Sequence, residues 1–580
     1  MFRNYFKAAL RTLLREKTST IINIAGLILG ITAALVLFLI IENGRSYDRY
    51  HAKGDRIYRV VTKSRGNHGD TFTQGIPPVL PDAFRNDFPE AAEVAFTSYR
   101  RNSMVSVVQP DGQLKKYEEP SGVVFTEPSF FRIFDRKILI GSSEKGLDEP
   151  NKAIISTKWA LKYFGKENVI GEIVRYDNND FRIAAIMEDF PHNTDLPFNL
   201  MLSYATIKKS MDQAGWGSIS DSDNCYFLLN EGEPIAKVEQ RMAGFTKKYV
   251  GSGDDNEDGS NFLTQPLSEI HSDMRFGNYN QRMPVAATIT FAVIGVFLLI
   301  TACINFINLT TAEAIKRTKE VGIRKTLGSS RAQLIMKYMS ETLLITTAAV
   351  LLSIAFAQLS LEFLNPFLEQ SLSLNLTTDI SIWAFLAAVI IVVSICSGLY
   401  PAFAVSALKP VLALKSQLGA SPSSRGNMRK GLVVLQFFIS QFFIISTIVI
   451  AQQMNFMLHH DMGFNKEAIV TVPIPENPAD SIGASKMRAL KTEILALPGV
   501  EKATLNSTPP SANSVTNTDF ALVGGEDRFK TQIKQVDADY LKVFDIPLVA
   551  GQHLPDSDTI NGLVVNEKLA KIAGFDNVAD

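Results

Sequence analysis

The residues that could do chemistry are few and scattered in this sequence. His459 and His460 stand side by side before Asp461. An acidic run, GSGDDNEDGS, contains four carboxylates: Asp254, Asp255, Glu257 and Asp258. The carboxylates lack the spacing of an EF-hand loop, and a single histidine pair falls short of the ligand set of a zinc site. We therefore interpret the histidines as interfacial polar residues and the acidic run as a solvated loop.

The common enzyme motifs are absent from the sequence. It contains no GxxxxGK[ST] phosphate-binding loop and no HExxH, GxSxG or CxxC motif. Its three cysteines are too few for a disulfide framework, and its 58 basic residues are balanced by 59 acidic residues. A nucleic-acid binder would need a basic surplus. The sequence therefore favours a protein that is not an enzyme, has no metal or cofactor of its own and binds no nucleic acid.

Five apolar segments are each long enough to cross a bilayer, which requires about 20 residues. They are Ile21–Ile41, Val285–Asn305, Leu343–Leu361, Trp383–Leu399 and Leu432–Ala451. None of them has an acidic, basic or histidine residue in its interior. The mean hydropathy of +0.08 fits such spans combined with water-exposed domains. The first segment is longer than a signal-peptide core and precedes no A-x-A cleavage site, so we interpret it as an anchor.

The distribution of Lys and Arg predicts which ends of the spans face the cytoplasm. The N-terminus and the loops after the second and fourth spans are basic, whereas the turn between the third and fourth spans has three acids and no base. This pattern places the N-terminus inside and residues 42–284 and 452–580 outside. Residues 1–20 show an apolar helical face opposite their cations. That face fits either a helix in the cytoplasmic interface, against membrane lipid, or an extension of the first span.

The sequence contains an internal repeat. FFRIFDRKILIG (Phe130–Gly141) aligns with YLKVFDIPLVAG (Tyr540–Gly551), and the first span aligns with the fifth. The identical pairs include Phe134 with Phe544, Asp135 with Asp545 and Gly141 with Gly551. One unit is an anchor span, an exterior domain and three further spans, and its first copy is complete near residue 420. We expect the second copy to continue beyond Asp580, in a chain of roughly 800 residues with about eight spans.

The exterior domain has the pattern of a mixed α/β fold. Short β-branched or aromatic runs bounded by Asp, Asn and Gly predict strands at RIYRVVT, NKAIIS, GEIVRY, FRIAAIM and CYFLL. The segments TKWALKYFG and PIAKVEQRMAGFTKKYV read as helices. In the second of these, five apolar residues share one face and are expected to pack in the core: Ile235, Val238, Met242, Phe245 and Tyr249.

The cytoplasmic segment TTAEAIKRTKEVGIRKTLGSSRAQLIMKY predicts a short elbow between two helices. Gly328 suits the C-terminal cap of the first helix, and Ser330 with Gln333 fits a capping box for the next. The elbow carries Val321, Ile323 and Leu327 among cations. From composition alone, a basic juxtamembrane loop against lipid headgroups remains an alternative to a docking site for another subunit.

The stretch ACINFINLTTAEAIKRTKEVGIRKTLGSSRAQL resembles the signature of the FtsX-like permease domain of ABC transporters. GLYPAFAVSALKPVLALKS and RKGLVVLQFFISQFFIISTIVIAQQMNFM are also similar to that family. The exterior stretch from SYDRYHAKGDRIYRV to EPNKAIISTKWALKYFGKENVIGE resembles the MacB-like periplasmic core domain. The duplicated form is similar to large permeases of Bacteroidetes-type bacteria. The implied fold is an α-helical transmembrane bundle with α+β extracytoplasmic core domains.

The resemblance implies a mechanism of mechanotransmission. A cytoplasmic ABC ATPase dimer, which uses ATP and Mg, would grip coupling helices and so move the periplasmic domains. Because this sequence lacks the fused ATPase of MacB-type members, the ATPase is expected on a separate polypeptide. The residues that the resemblance assigns to the first coupling helix are Glu320, Val321, Gly322, Ile323, Arg324, Lys325, Leu327 and Gly328.

The resemblance implies two possible functions, and a third function can be suggested without using the resemblance. The first is export of an antimicrobial, a peptide or a lipoprotein, with a periplasmic adaptor and an outer-membrane channel as further partners. The second is regulatory: a transmitter that controls a periplasmic enzyme or senses peptides without transport. The third, a receptor without an ATPase, leaves the elbow unexplained and has no cytoplasmic output domain.

The predicted organisation places the protein in the bacterial inner membrane. Its parts are an interfacial helix at 1–20, a span at 21–41, a first periplasmic core domain at 42–284, a permease domain at 285–420 with its coupling elbow at 314–334, a span at 432–451 and an incomplete second core domain at 452–580.

Overall fold

The computed structural model describes residues 9, 11, 14–66, 69–108, 112–251, 259–316, 318–377, 379–406, 425–474, 484–512, 515–521, 528–557 and 562–575. The chain divides into two compact units. One unit is helical and contains residues 1–47 and 282–458, and the other is α+β and contains residues 48–281 and 459–580. The acidic run at 254–258 and most of the helix predicted at 1–20 lie outside the described residues.

The helices, in chain order, are α1 (Lys17–Ser46), α2 (Leu80–Asp87), α3 (Ser129–Phe134), α4 (Ser143–Leu147), α5 (Thr157–Phe164), α6 (Lys208–Asp212), α7 (Ile235–Tyr249), α8 (Val285–Lys316), α9 (Thr318–Thr326), α10 (Arg331–Leu368), α11 (Ile380–Ser406), α12 (Arg425–His459), α13 (Ala484–Leu495), α14 (Tyr540–Val543) and α15 (Glu567–Ile572). Short 3-10 helices cover Gly54–Arg56, Tyr204–Thr206 and Leu267–Glu269.

The strands are β1 (Ile57–Gly66), β2 (Gly69–Thr73), β3 (Ala91–Arg100), β4 (Ser103–Val108), β5 (Leu114–Glu119), β6 (Val123–Thr126), β7 (Ile138–Gly141), β8 (Lys152–Ser156), β9 (Ile173–Tyr176), β10 (Asn179–Met187), β11 (Leu200–Ser203), β12 (Asp223–Leu229), β13 (Asn261–Pro266), β14 (Thr516–Ala521) and β15 (Arg528–Ile533).

Each of the five apolar segments lies inside one long helix. Five helices, α1, α8, α10, α11 and α12, are long and apolar enough to cross a membrane. They extend past the predicted spans because polar residues at both ends continue the same helical hydrogen bonding. The helical part of the predicted fold, a bundle with five visible spans, is therefore confirmed.

The helical unit has one apolar core between α1, α8, α10 and α11. Leu27, Ile31 and Leu35 of α1 are almost fully buried in it. A Cβ atom on Gly30 would come within 2.7 Å of the Ala302 Cβ, so α1 and α8 approach closely at a pair of small residues. By contrast, α12 buries little of its surface against the described residues.

The α+β unit contains one mixed sheet of thirteen strands. Its order is β13-β1-β12-β3-β6-β11-β8-β10-β9-β4-β5, with β2 added beside β1 and β7 beside β10. The pairs β8–β10 and β6–β11 are parallel, and the other pairs are antiparallel. All five predicted strands are present in this sheet. The α+β fold predicted for this domain is therefore confirmed.

Helix α7 packs on the sheet with the predicted face. Val238, Met242 and Phe245 are buried against strands β1, β3 and β12, and Ile235 and Tyr249 lie at the edge of the same cluster. Helix α5 begins where the Ser156 side chain accepts a hydrogen bond from the Trp159 amide, which is an ordinary N-cap.

Local geometry in the second copy matches the first at several aligned positions. Asp135 and Asp545 both adopt a left-handed conformation, with φ of 46° and 49°. The Asn566 side chain accepts from the Leu569 amide, as Ser156 does at the aligned position. Among the described residues of this copy, β14 and β15 pair only with each other, and the segment aligned with β8 forms no strand. The local matches at the aligned positions support the predicted internal repeat.

Candidate functional site

The predicted elbow is a tight turn between α9 and α10. Helix α9 ends in two crossed hydrogen bonds, from the Gly328 amide to the Lys325 carbonyl (3.1 Å) and from the Ser329 amide to the Arg324 carbonyl (3.0 Å). This is a Schellman motif, and it requires a left-handed residue, which Gly328 supplies at φ 92°. The predicted cap at Gly328 is confirmed.

The next helix begins with the predicted capping box. The Ser330 Oγ accepts a hydrogen bond from the Gln333 amide at 3.3 Å, and the Gln333 Oε1 accepts from the Ser330 amide at 3.0 Å. Two backbone donors that have no partner inside α10 are satisfied in this way. With both helix ends fixed by local hydrogen bonds, the elbow has a defined direction.

One face of the elbow packs against the spans. Val321 is 2% exposed and lies in a small apolar cluster that we call the elbow socket: Leu334, Ile335 and Tyr338 of α10 and Ala402 of α11. Burying a valine side chain stabilises such a contact by about 1.5–3 kcal/mol. The socket therefore holds α9 against two spans at once.

Two cations bind the carboxyl end of α11. Lys325 donates from Nζ to the Ser406 carbonyl at 2.6 Å, and Arg331 donates from Nε to the Ser406 Oγ at 3.4 Å. The Arg331 guanidinium also lies 5.7 Å from the centre of the Phe403 ring. Carbonyls at a helix C-terminus carry partial negative charge, so both cations are favourably placed. Ser406 was not predicted as part of the site. Arg331 lies inside the predicted elbow at 314–334 but was not among the eight residues assigned to coupling.

The opposite face of the elbow is exposed. Leu327 is 82% exposed and Ile323 is 46% exposed, with Arg324 and Gly328 also on the surface. The eight residues assigned to coupling thus divide into two groups: Val321, Gly322 and Lys325 toward the spans, and Ile323, Arg324, Leu327 and Gly328 toward the surface. Glu320 lies in α9, but its side chain is outside what the structure describes. An apolar pair beside a cation is suited to bind a protein surface.

A buried ion pair lies two turns beyond the elbow. Lys337 and Glu341 are 4% and 6% exposed, and the Lys337 Nζ is 3.7 Å from the Glu341 Oε1. Both residues stand just before the predicted third span, which begins at Leu343, and α10 carries them as one continuous helix. The sequence analysis did not predict this pair, because a span is recognised by its apolar run and the polar residues that flank the run are not considered.

The other candidate residues form no site in the described part of the chain. His459 ends α12, and His460 and Asp461 follow it on the surface. No group of three metal-ligating side chains occurs among the described residues. Cys225 is fully buried, and burial raises the pKa of its thiol well above the ordinary value. A thiol with a raised pKa is a poor nucleophile.

The helices and the sheet together define a class of protein: a multi-pass membrane protein with a large α+β domain outside the helical bundle. A family model for the MacB-like periplasmic core domain matches residues 20–245, and one for the FtsX-like permease C-terminal domain matches residues 292–410. Together they cover more than half of the chain. The chain belongs to the FtsX-like, MacB-like family of ABC transporter permeases.

Individual relatives are distant. The chain is 22% identical over 431 residues to the macrolide export ATP-binding/permease protein MacB of Burkholderia thailandensis, covering 71% of this chain and 60% of the relative. It is 21% identical over 372 residues to the uncharacterized ABC transporter permease YknZ of Bacillus subtilis, covering 60% of this chain and 83% of that one. The chain spans 37% to 60% of the length of the first ATP-binding/permease relatives that it matches.

A solved structure is similar to part of this chain. The periplasmic region of MacB from Actinobacillus actinomycetemcomitans matches 37% of this chain and 91% of its own length, at 14% identity and a TM-score of 0.27.

Proposed function

We propose that this chain is the permease subunit of an ABC transporter whose ATP hydrolysis takes place on a separate cytoplasmic ATPase dimer. The proposal is based on the two faces of the elbow. Its exposed face, with Ile323, Arg324 and Leu327, is the docking surface for the ATPase, and its buried face passes motion to α10 and α11. In this proposal the partner ATPase binds the ATP and Mg.

The rest of the proposal follows from this docking. The N-terminus and the elbow are cytoplasmic, and the α+β domains are periplasmic. Closing of the ATPase dimer moves the elbow, and the spans transmit this motion to the periplasmic side. The work done there is export of an antimicrobial, a peptide or a lipoprotein, in cooperation with a periplasmic adaptor and an outer-membrane channel. The names of the relatives, several of which are exporters, support this assignment.

The docking surface can be tested with one exposed residue. We expect Leu327→Asp to lower recovery of the ATPase at least about tenfold when the full-length chain is affinity-purified from its native membranes. The reason is that a docked leucine contributes about 1.5–3 kcal/mol, and an aspartate leaves a charge in the interface. Mass spectrometry identifies the ATPase, and ATP hydrolysis by the eluate measures its amount.

The matched control is Leu161→Asp, because Leu161 is a leucine of α5 in the α+β unit that is 46% exposed. It should recover as much ATPase as the unaltered chain. Equal recovery from Leu327→Asp and the control would show that the exposed face of the elbow is not the docking surface. Recovery of no ATPase from any of the three would overturn the proposed function itself.

A further inference from the structure

One loop of the α+β domain binds both chain segments that lead to the membrane helices. The loop is Asn193–Leu196, between β10 and β11. The first segment is Asp48–His51, which follows α1, and the second is His271–Asn280, which precedes α8. We call the residues that join them the junction cluster: Asp48, Tyr50, Thr194, Asp195, His271 and Asn280.

Asp48 holds the loop from the first segment. Its amide donates to the Asn193 carbonyl at 3.1 Å, its Oδ2 accepts from the Asp195 amide at 2.9 Å, and its Oδ1 accepts from the Thr194 Oγ1 at 2.5 Å. Tyr50 adds a hydrogen bond from its hydroxyl to the Thr194 Oγ1 at 3.0 Å. Asp48 adopts a left-handed φ of 54°, which aspartate tolerates better than most residues. Three hydrogen bonds from one residue make this a specific attachment.

The second segment binds the same loop through two residues. Asn280 donates from Nδ2 to the Thr194 carbonyl at 2.6 Å, and the His271 Nδ1 is 3.1 Å from the Asp195 Oδ1. Thr194, Asp195 and His271 are all less than 10% exposed. The two segments, more than 200 residues apart in sequence, therefore meet on Thr194 and Asp195.

The cluster contains two buried carboxyl groups. Asp48 and Asp195 are 3% and 2% exposed, and the carboxyl group of Asp48 accepts a hydrogen bond from the backbone amide of Asp195. The titratable and charged groups that face them are Tyr50 and His51 on the first segment, His271 on the second, Arg59 and Tyr226 on the sheet, and Asp135 and Arg136 after α3. The Arg136 guanidinium donates hydrogen bonds to the Glu188 and Asp189 carbonyls, so it does not neutralise the charge of Asp48 directly.

His51 supplies no charge that would balance an ionised Asp48. The His51 Nδ1 donates to the Phe134 carbonyl at 3.0 Å. The His51 Nε2 lies 3.8 Å from the Asp48 Oδ1, which is beyond hydrogen-bonding distance, and has no hydrogen-bond partner among the described residues. Burial lowers the pKa of His51 to about 4, so the ring is neutral at pH 7. Burial, and then the charge of Asp195, raise the pKa of Asp48 to about 7.

We propose that the junction cluster is a proton-controlled latch between the two membrane-connected segments. With a proton on Asp48, the loop holds both segments firmly. When that proton leaves to solvent, a charged carboxylate remains in a buried site beside Asp195. Because burial disfavours that charge, the attachment of Asp48 to Thr194 and Asp195 loosens. This regulation goes beyond the proposed function and does not depend on an ATPase.

The direction of the pH effect follows from the sign of the shift. The pKa of Asp48 in the folded chain lies above its ordinary value of 3.8, so the protonated form is favoured by folding. The added stability is therefore fully present below about pH 4 and is lost as pH rises through about 7.

Hydrogen exchange of the full-length chain in lipid nanodiscs tests the latch. We expect the protection of the amides at 193–196, corrected for the intrinsic pH dependence of exchange, to fall at least about tenfold between pH 5 and pH 8. Asp48→Asn, which mimics the neutral form, should keep its protection nearly constant over that range. The matched control is Asp223→Asn, because Asp223 is another buried carboxyl with a raised pKa, bound to Ser98 on a different part of the sheet. It should behave as the unaltered chain does.

Two results would overturn the proposal. One is constant protection at 193–196 in the unaltered chain across this pH range, a result that needs no variant to fold. The other is a pH dependence that persists in Asp48→Asn. Infrared spectroscopy supplies a direct readout of the proton, since the carbonyl stretch of a protonated carboxyl group should be present at pH 5, weaken by pH 8, and be reduced in Asp48→Asn but not in Asp223→Asn.

Discussion

Replacing Arg59 with alanine is expected to lower the free energy of unfolding of the α+β domain by about 3–5 kcal/mol. Arg59 lies on β1, is fully buried, and donates to the Gln265 Oε1 (2.7 Å), the Gln74 Oε1 (2.9 Å) and the Gly277 carbonyl (2.8 Å). Alanine leaves these acceptors in a dry interior without a donor, and the loss of each hydrogen bond to a charged group is costly.

The measurement is denaturant unfolding of the full-length chain, followed by tryptophan fluorescence, to which Trp159 and Trp216 of the α+β unit contribute. The control is Arg56→Ala, three residues earlier, where the Nη1 is 3.4 Å from a Glu231 carboxylate whose side chain is 87% exposed. An exposed pair of this kind contributes less than about 1 kcal/mol. If the two variants unfolded at the same denaturant concentration, the buried network around Arg59 would not stabilise the domain as the structure implies.

Val321→Asp is expected to detach the elbow from the spans. Val321 fills the elbow socket, where the nearest neighbours are Leu334, Tyr338 and Ala402. A carboxylate placed there is unpaired and desolvated, which costs several kcal/mol, so α9 should leave the socket. We expect protection from hydrogen exchange at residues 318–330 to fall more than about tenfold.

A second readout separates the two faces of the elbow. Leu327→Asp, on the exposed face, should leave protection at 318–330 unchanged while it lowers recovery of the ATPase. Val321→Ile should retain both, because it keeps an apolar side chain of similar shape. If Val321→Asp and Leu327→Asp changed the same readout to the same extent, the division of the elbow into a docking face and a packing face would be wrong.

The parts of the fold that were predicted correctly depend on short stretches of sequence. Each span is a mainly apolar run without a charged residue in its interior, and the caps at Gly328 and Ser330 involve residues within a few positions of one another. The same applies to the five predicted strands. Strand β5 was missed because its sequence, LKKYEE, is that of a polar edge strand and has no apolar alternation.

The parts that were not predicted depend on contacts between distant residues. Lys325 and Ser406 are 81 positions apart, and nothing near either residue indicates the other. Val321 and Leu327 are both apolar, and six helical positions place them on different faces, about 120° apart, but periodicity does not say which face meets the protein. The junction cluster likewise draws polar residues from three segments, none of which has a motif.

The attachment of both membrane-connected segments to one loop has a mechanical consequence. A domain that is joined to the rest of its chain by one flexible segment can rotate about that segment. When two segments bind the same loop of a domain, rotation about one of them strains the hydrogen bonds of the other. A displacement of Asp48–His51 relative to His271–Asn280 would therefore strain residues 193–196, and with them the strands β10 and β11 on either side of this loop.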